Sequence, residues 1–147
     1  MSRTTVPQCL IFCLFIPVCA SFAADNVIPA EHIAFFEQKI RPILSEHCYQ
    51  CHSAEAKQNK KLKGGLYLDT RAGVLTGGDT GSAIESGKPD KSLLMTALRW
   101  QDPDIEMPPK KKLPENVIAD FAKWIEMGAP DPRAGTAVPS KRVIDLK

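Results

Sequence analysis

Two thiols three positions apart, followed at once by an imidazole, are the residues best placed to do chemistry in this chain: Cys48-Tyr49-Gln50-Cys51-His52. Side chains at i and i+3 lie on one face of a helical turn. That spacing suits addition of both thiols to the two vinyl groups of one porphyrin, which sit on neighbouring pyrroles. An imidazole directly after the second thiol reaches the iron of the same porphyrin as its proximal ligand. The pattern is the C-x-x-C-H motif of c-type haem attachment. It predicts one covalent haem c held by Cys48 and Cys51, with His52 on the metal.

Other uses of the same residues fit less well. A structural zinc site wants four ligands, and a downstream H-x3–5-H pair is missing. A thioredoxin-like pair belongs after a strand in a βαβ unit, whereas these cysteines follow a helical pattern. A plain Cys48–Cys51 disulfide is the simplest competitor, and the adjacent His52 argues for haem instead.

An iron bound this way usually takes a sixth ligand, often a methionine sulfur. Met95 lies in the helical run Leu93-Leu94-Met95, and Met127 ends the last apolar helix, so both read as core. Met107 stands alone in a polar stretch, just before Pro108-Pro109 and Lys110-Lys111-Lys112. The prolines fix φ and stiffen that loop, which makes Met107 the expected sixth ligand. The alternative is a second imidazole, from His32 or His47. His47 is so close to the attachment turn that reaching the far face looks hard.

The elements that must position these groups follow from patterning. Residues 1–23 read as a secretory signal peptide: Arg3, then the apolar run from Cys9 to Ala20, then Ser21, Ala23 and Ala24. The run is shorter than the ~20 residues a membrane span needs, so the mature chain is expected to be exported and not membrane-spanning. Cleavage after Ala23 or one residue later leaves Cys48 and Cys51 as the remaining cysteines and lowers the formal net charge from +2 to +1. That near-neutral balance gives no case for a nucleic-acid partner. The haem domain is expected over 31–131 and a linker or disordered tail over 132–147.

Within the domain, Ile33, Phe36, Ile40, Ile43 and Leu44 recur at helical spacing over 31–48. Pro42 implies a kink there or two short helices meeting. Residues 53–65 and 77–90 read as loops. A short helix is expected over 71–75, capped by Asp69 or Thr70. Another is expected from Ser92 or Asp90 to about Trp100. The clearest helix begins at Pro114 and carries the stripe Val117, Ile118, Phe121, Trp124, Ile125 up to Gly128. Helices with long loops and no strand alternation make sense where loops wrap a cofactor.

The order of these segments resembles the planctomycete-type cytochrome c domain over about residues 35–131. The resemblance rests on Phe36 to Leu44, the Cys48–His52 motif, Lys63-Gly64-Gly65-Leu66-Tyr67-Leu68-Asp69, Gly77-Gly78-Asp79 and Gly87-Lys88-Pro89. It continues through Ser92-Leu93-Leu94, Met107-Pro108-Pro109 and Trp124 to Pro130. It implies an all-α, cytochrome c-like fold of helices and long loops wrapped around one haem, with His52 and Met107 as axial ligands. Members of this family commonly carry the module at the start of a longer exported protein, so whether these residues are a fragment or a stand-alone module stays open.

The expected activity is one-electron transfer to a redox partner protein or fused domain, not catalysis. Arg99, Trp100 and Arg71 are candidates to hold the haem propionates, and Lys110-Lys111-Lys112 to steer an acidic partner. Two other classes compete: a peroxidase-like haem with an open sixth position, and a haem-free interaction module closed by a Cys48–Cys51 disulfide.

Overall fold

The computed structural model describes residues 28–133. The expected leader and residues 134–147 of the expected tail lie outside the described residues. Among the described residues the fold is all-α, with six short helices, one π-helical turn, one 3-10 turn and no strand. An isolated bridge joins Gly78 to Gly81.

The first helical segment is continuous through Pro42. Helix α1 (Ala30–Phe35) passes into a π-helical turn (Phe36–Ile40), and α2 (Arg41–His47) follows directly. The physical cause is Pro42. Its ring clashes with the carbonyl four residues back and it offers no N–H. Widening the preceding turn, with the Arg41 N–H donating to Phe36 O, accommodates both. Phe36, Ile40 and Leu44 face inward, each no more than 1% exposed.

Helix α3 (Ala54–Gln58) corrects the expectation of a plain loop over 53–65. Ser53 caps it by accepting from the Ala56 N–H at 3.0 Å. With five residues and only Ala56 buried, it leaves no periodic stripe to read. Helix α4 (Arg71–Thr76) is capped by Thr70, whose hydroxyl accepts from Gly73 N–H at 3.0 Å. Asp69 does another job, accepting from Ala54 N–H at the start of α3. A 3-10 turn (Pro89–Lys91) leads into α5 (Leu93–Leu98).

Helix α6 (Glu115–Glu126) buries Ile118, Phe121, Trp124 and Ile125. It packs on the π-helical turn, the 3-10 turn and α5. Trp124 is the hub. Its ring lies 5.8 Å from Phe36 and 6.1 Å, edge-on, from Phe121. Its indole N–H donates to Pro130 O at 2.8 Å, so the large ring is buried without stranding a donor. Two residues beyond the expected domain boundary, the chain still makes contacts with the folded body. Arg133 packs onto that body with its side chain 10% exposed, because Asp131 and a tyrosine hydroxyl bind its guanidinium.

Candidate functional site

The motif occupies the turn that runs on from α2. Cys48 N–H and Tyr49 N–H both donate to Leu44 O, and His52 N–H donates to Cys48 O at 2.9 Å. The turn therefore keeps its helical curl through His52, as the thiol spacing requires. The chain then loops through α3 and returns beside it. Lys63 N–H donates to Cys51 O at 3.0 Å, and Leu68 N–H donates to His52 O at 2.8 Å. The returning segment is thus pinned to the carbonyls of two motif residues.

Cys48 and His52 open onto a largely apolar cleft. One wall is backbone and small residues, Gly64, Gly78 and Gly81 among them. Further lining comes from α5 and the following loop, with Leu94, Leu98 and Met107. The cleft's volume is about 190 Å³, smaller than the roughly 300–1,000 Å³ of most small-molecule and cofactor pockets, and the groove it opens into holds about 600 Å³. The cleft continues outward into a groove that shares His47, His52, Met107 and Pro108 with it and adds Cys51, Lys63 and Lys110 to Lys112. His52, Met107 and both thiols of the motif are therefore brought to one continuous concavity.

Burial dominates the electrostatics here. It lowers the His52 pKa, against the opposing pull of the Leu66 and Lys63 carbonyls beside the ring. The imidazole is accordingly neutral at pH 7, the form that binds a metal. No hydrogen bond closes on its Nδ1, which is buried and unpartnered. A buried polar atom without a partner costs roughly 1–3 kcal/mol, so this ring gains from any group that engages it. Burial also pushes the Cys48 thiol up to about 12. It is a protonated S–H at neutral pH, not the thiolate that zinc would take.

Met107 is held from its backbone. Its N–H donates to Ala97 O at 3.1 Å, and its carbonyl accepts from the Trp100 indole at 3.2 Å. Met95, by contrast, is fully buried in the core, and Met127 ends α6 away from the cleft. His47 lines the cleft and groove but is exposed on α2, while His32 lies on α1 and lines neither.

The three propionate candidates are not brought to the cleft. Arg99 pairs with the exposed Asp90 at 2.8 Å, and Arg71 is exposed at the start of α4. Trp100 spends its indole N–H on the Met107 carbonyl, which makes it a support of that loop.

Sequence reasoning missed the glycine wall. Asp79 N–H donates to Gly64 O at 2.8 Å, bringing two loops into close contact. A Cβ on Gly78 would stand 2.3 Å from Gly64 O and 3.1 Å from the Leu66 Cβ. The pairing of Lys63-Gly64-Gly65 with Gly77-Gly78 was the available signal: two glycine pairs where no turn type demanded both.

The donor set is one imidazole, one thioether and two thiols along an apolar slot. It fits a large flat ring carrying a central iron, the imidazole and thioether serving the metal and the thiols the ring edge. Among the described residues, no three His, Cys, Asp or Glu side chains gather to hold a bare metal ion. Residues 48–111 match the family model described as Planctomycete cytochrome C. No curated protein and no solved structure matches the chain. The matched segment runs from the first thiol of the motif through Met107 to the second residue of the lysine run, and over it the chain is similar to planctomycete cytochrome c.

Proposed function

We propose that this chain is an exported mono-haem c-type cytochrome domain that carries single electrons. The porphyrin is attached at Cys48 and Cys51, and the iron is held by His52 and Met107. The family implies covalent haem c and electron transfer, and cytochrome c domains are generally electron carriers. The observation that carries the finer reading is the shared cleft: Met107, remote in sequence from the motif, lines one apolar concavity with Cys48 and His52.

When bound, the iron supplies a one-electron couple. The chain's own residues do the rest. Cys48 and Cys51 would hold the porphyrin as thioethers, each S–H adding across a vinyl C=C with no change of net oxidation state. His52 offers a neutral imidazole that needs no proton removed at pH 7. The Trp100 and Ala97 contacts fix the backbone that presents the Met107 sulfur. Apolar side chains such as Leu94 and Leu98 exclude water, which together with a methionine ligand raises the reduction potential.

Lys63 and Lys110 to Lys112 line the outer groove. Their charge suits encounter with an acidic redox partner or fused domain. Export rests on the expected leader at 1–23, cleaved to free a haem domain over 31–131. No helix among the described residues is long and apolar enough to cross a membrane.

The test is expression in a host that attaches haem c, with wild type and Met107→Ala compared. A mass gain of one haem that survives denaturation is expected for both. The far-red sulfur-to-iron band of the ferric form is expected in wild type and absent in Met107→Ala. A wild-type mass equal to the bare polypeptide overturns the reading. A band that persists in Met107→Ala removes Met107 from the iron.

A further inference from the structure

The region beneath the attachment turn holds a buried polar cluster that the electron-transfer reading leaves unused. Arg133 is its centre. Its side chain is 10% exposed and that of Asp131 is 1% exposed. The Arg133 Nε donates to both Asp131 carboxylate oxygens, at 2.9 and 3.1 Å, and Nη2 adds a third bond to the same carboxylate. That fork fixes the plane of the guanidinium. The plane then lies over the Phe36 ring, 4.9 Å from its centre.

Held in this way, Nη1 reaches two acceptors. One is the hydroxyl of Tyr49, a residue inside the attachment motif. The other is Leu68 O, at 2.9 Å. The N–H of that same Leu68 donates to His52 O at 2.8 Å. One residue therefore separates Arg133 from the backbone of His52. The Arg133 side chain ties together the helical segment before the motif, the motif itself and the segment that returns beside it.

We propose that Arg133 is a positioning residue for the proximal side of the site: through Leu68 it sets the backbone of His52, and through Tyr49 it sets the turn that carries the thiols. The inference rests on the proposed role of His52 and the two cysteines. Lysine cannot replace Arg133, because an ammonium is a single point with no planar fork.

The test uses the full chain and two variants. Arg133→Ala is combined with Asp131→Asn, so that no carboxylate is left buried alone and the net charge is unchanged. Tyr49→Phe removes one acceptor and keeps the ring. The first readout is amide hydrogen exchange on the haem-free protein. The double variant is expected to exchange the Leu68 amide at least tenfold faster, with the Phe121–Ile125 amides of α6 within twofold of wild type. Tyr49→Phe is expected to give a smaller rise at the same amide. The second readout is the ferrous-to-ferric ratio of the haem-loaded protein at one fixed solution potential. It is expected to change at least threefold in the double variant and to stay put in Ile118→Val, which loosens the core without touching the cluster.

A Leu68 amide within twofold of wild type overturns the proposal, as does an exchange rise spread equally over α6. An unchanged ferrous-to-ferric ratio in the double variant overturns it too. If the double variant does not fold, an unmoved Leu68 amide in Tyr49→Phe overturns the proposal, and a selective rise there supports it. A wild-type chain that never acquires haem defeats the proposed function instead, and the exchange experiment on the haem-free chain tells the two failures apart.

Discussion

The indole N–H of Trp100 donates to the backbone carbonyl of Met107 at 3.2 Å, bridging the end of α5 and the loop whose Met107 lines the same cleft as His52. Trp100 adopts a left-handed backbone conformation, φ 56°, to make this contact. A non-glycine residue there carries strain that its surroundings must offset. Trp100→Phe keeps the ring and removes the donor. The expected result is a loss of about 0.5–1.5 kcal/mol of stability in urea unfolding of the apo chain. In the haem-loaded protein the far-red band is expected to weaken without disappearing, because Ala97 O still holds the Met107 N–H.

The glycine wall makes a second prediction. Gly78→Ala forces a methyl group against the Gly64 carbonyl and the Leu66 Cβ, at 2.3 and 3.1 Å. Backbone on one side leaves no flexible chain end to yield. The expected cost is about 1–3 kcal/mol, read as a lower urea midpoint. Covalent haem yield should fall as well, since Gly64 and Gly78 both line the cleft. A stability equal to wild type would show that the two loops part freely.

The raised Cys48 pKa is directly measurable in the apo chain. At pH 8 a thiol near 12 holds roughly a thousandfold less thiolate than one near 9. The higher intrinsic nucleophilicity of the more basic thiolate returns part of that factor. Iodoacetamide is therefore expected to label Cys48 at least about 30-fold more slowly in the folded chain than in urea, followed by peptide mass mapping. The direction for stability follows. Folding holds the proton on Cys48, so this thiol favours the folded state below about pH 9, and that contribution is lost as pH rises toward 12.

The aromatic core offers a control unrelated to the cleft. Phe121 is fully buried and packs edge-on against Trp124. Phe121→Ala is expected to cost about 3–5 kcal/mol, seen as a drop in apo-chain unfolding midpoint.

The sequence patterns were most legible where one residue type had one job. The α6 stripe, from Ile118 to Ile125, appears where a 3.6-residue period places it, and Gly128 ends it in a left-handed turn, φ 94°. Met107 stood out because it belonged to no helical apolar stripe, and it does line the cleft, together with Ile105 of the same loop. The motif was readable because chemistry restricts its spacing.

Elsewhere the deciding contacts join residues far apart in the chain, and no local pattern announces them. Arg133 meets Tyr49 across 84 positions and Leu68 across 65. Arg99 and Trp100, expected at the haem propionates, have their hydrogen-bonding capacity met by Asp90 and by the Met107 carbonyl. Helix α3 depends on acceptors at its first turn, Ser53 and the Asp69 carboxylate fifteen positions on, rather than on a buried face.

The widened turn ahead of Pro42 has a geometric consequence for the thiols. Phe36, Ile40, Leu44 and Cys48 are spaced by fours, and on a straight α-helix each step of four overshoots a full revolution by about 40°. Left uncorrected, that drift carries Cys48 about 120° around from Phe36. A stretch that closes its hydrogen bonds five residues back absorbs part of the surplus, so one helical segment can insert its aromatic ring in the core and still present sulfur to the cleft. Removing a single residue between Phe36 and Ile40 would swing everything downstream by about 100°. The helix itself would survive such a deletion, and its cargo would face the wrong way.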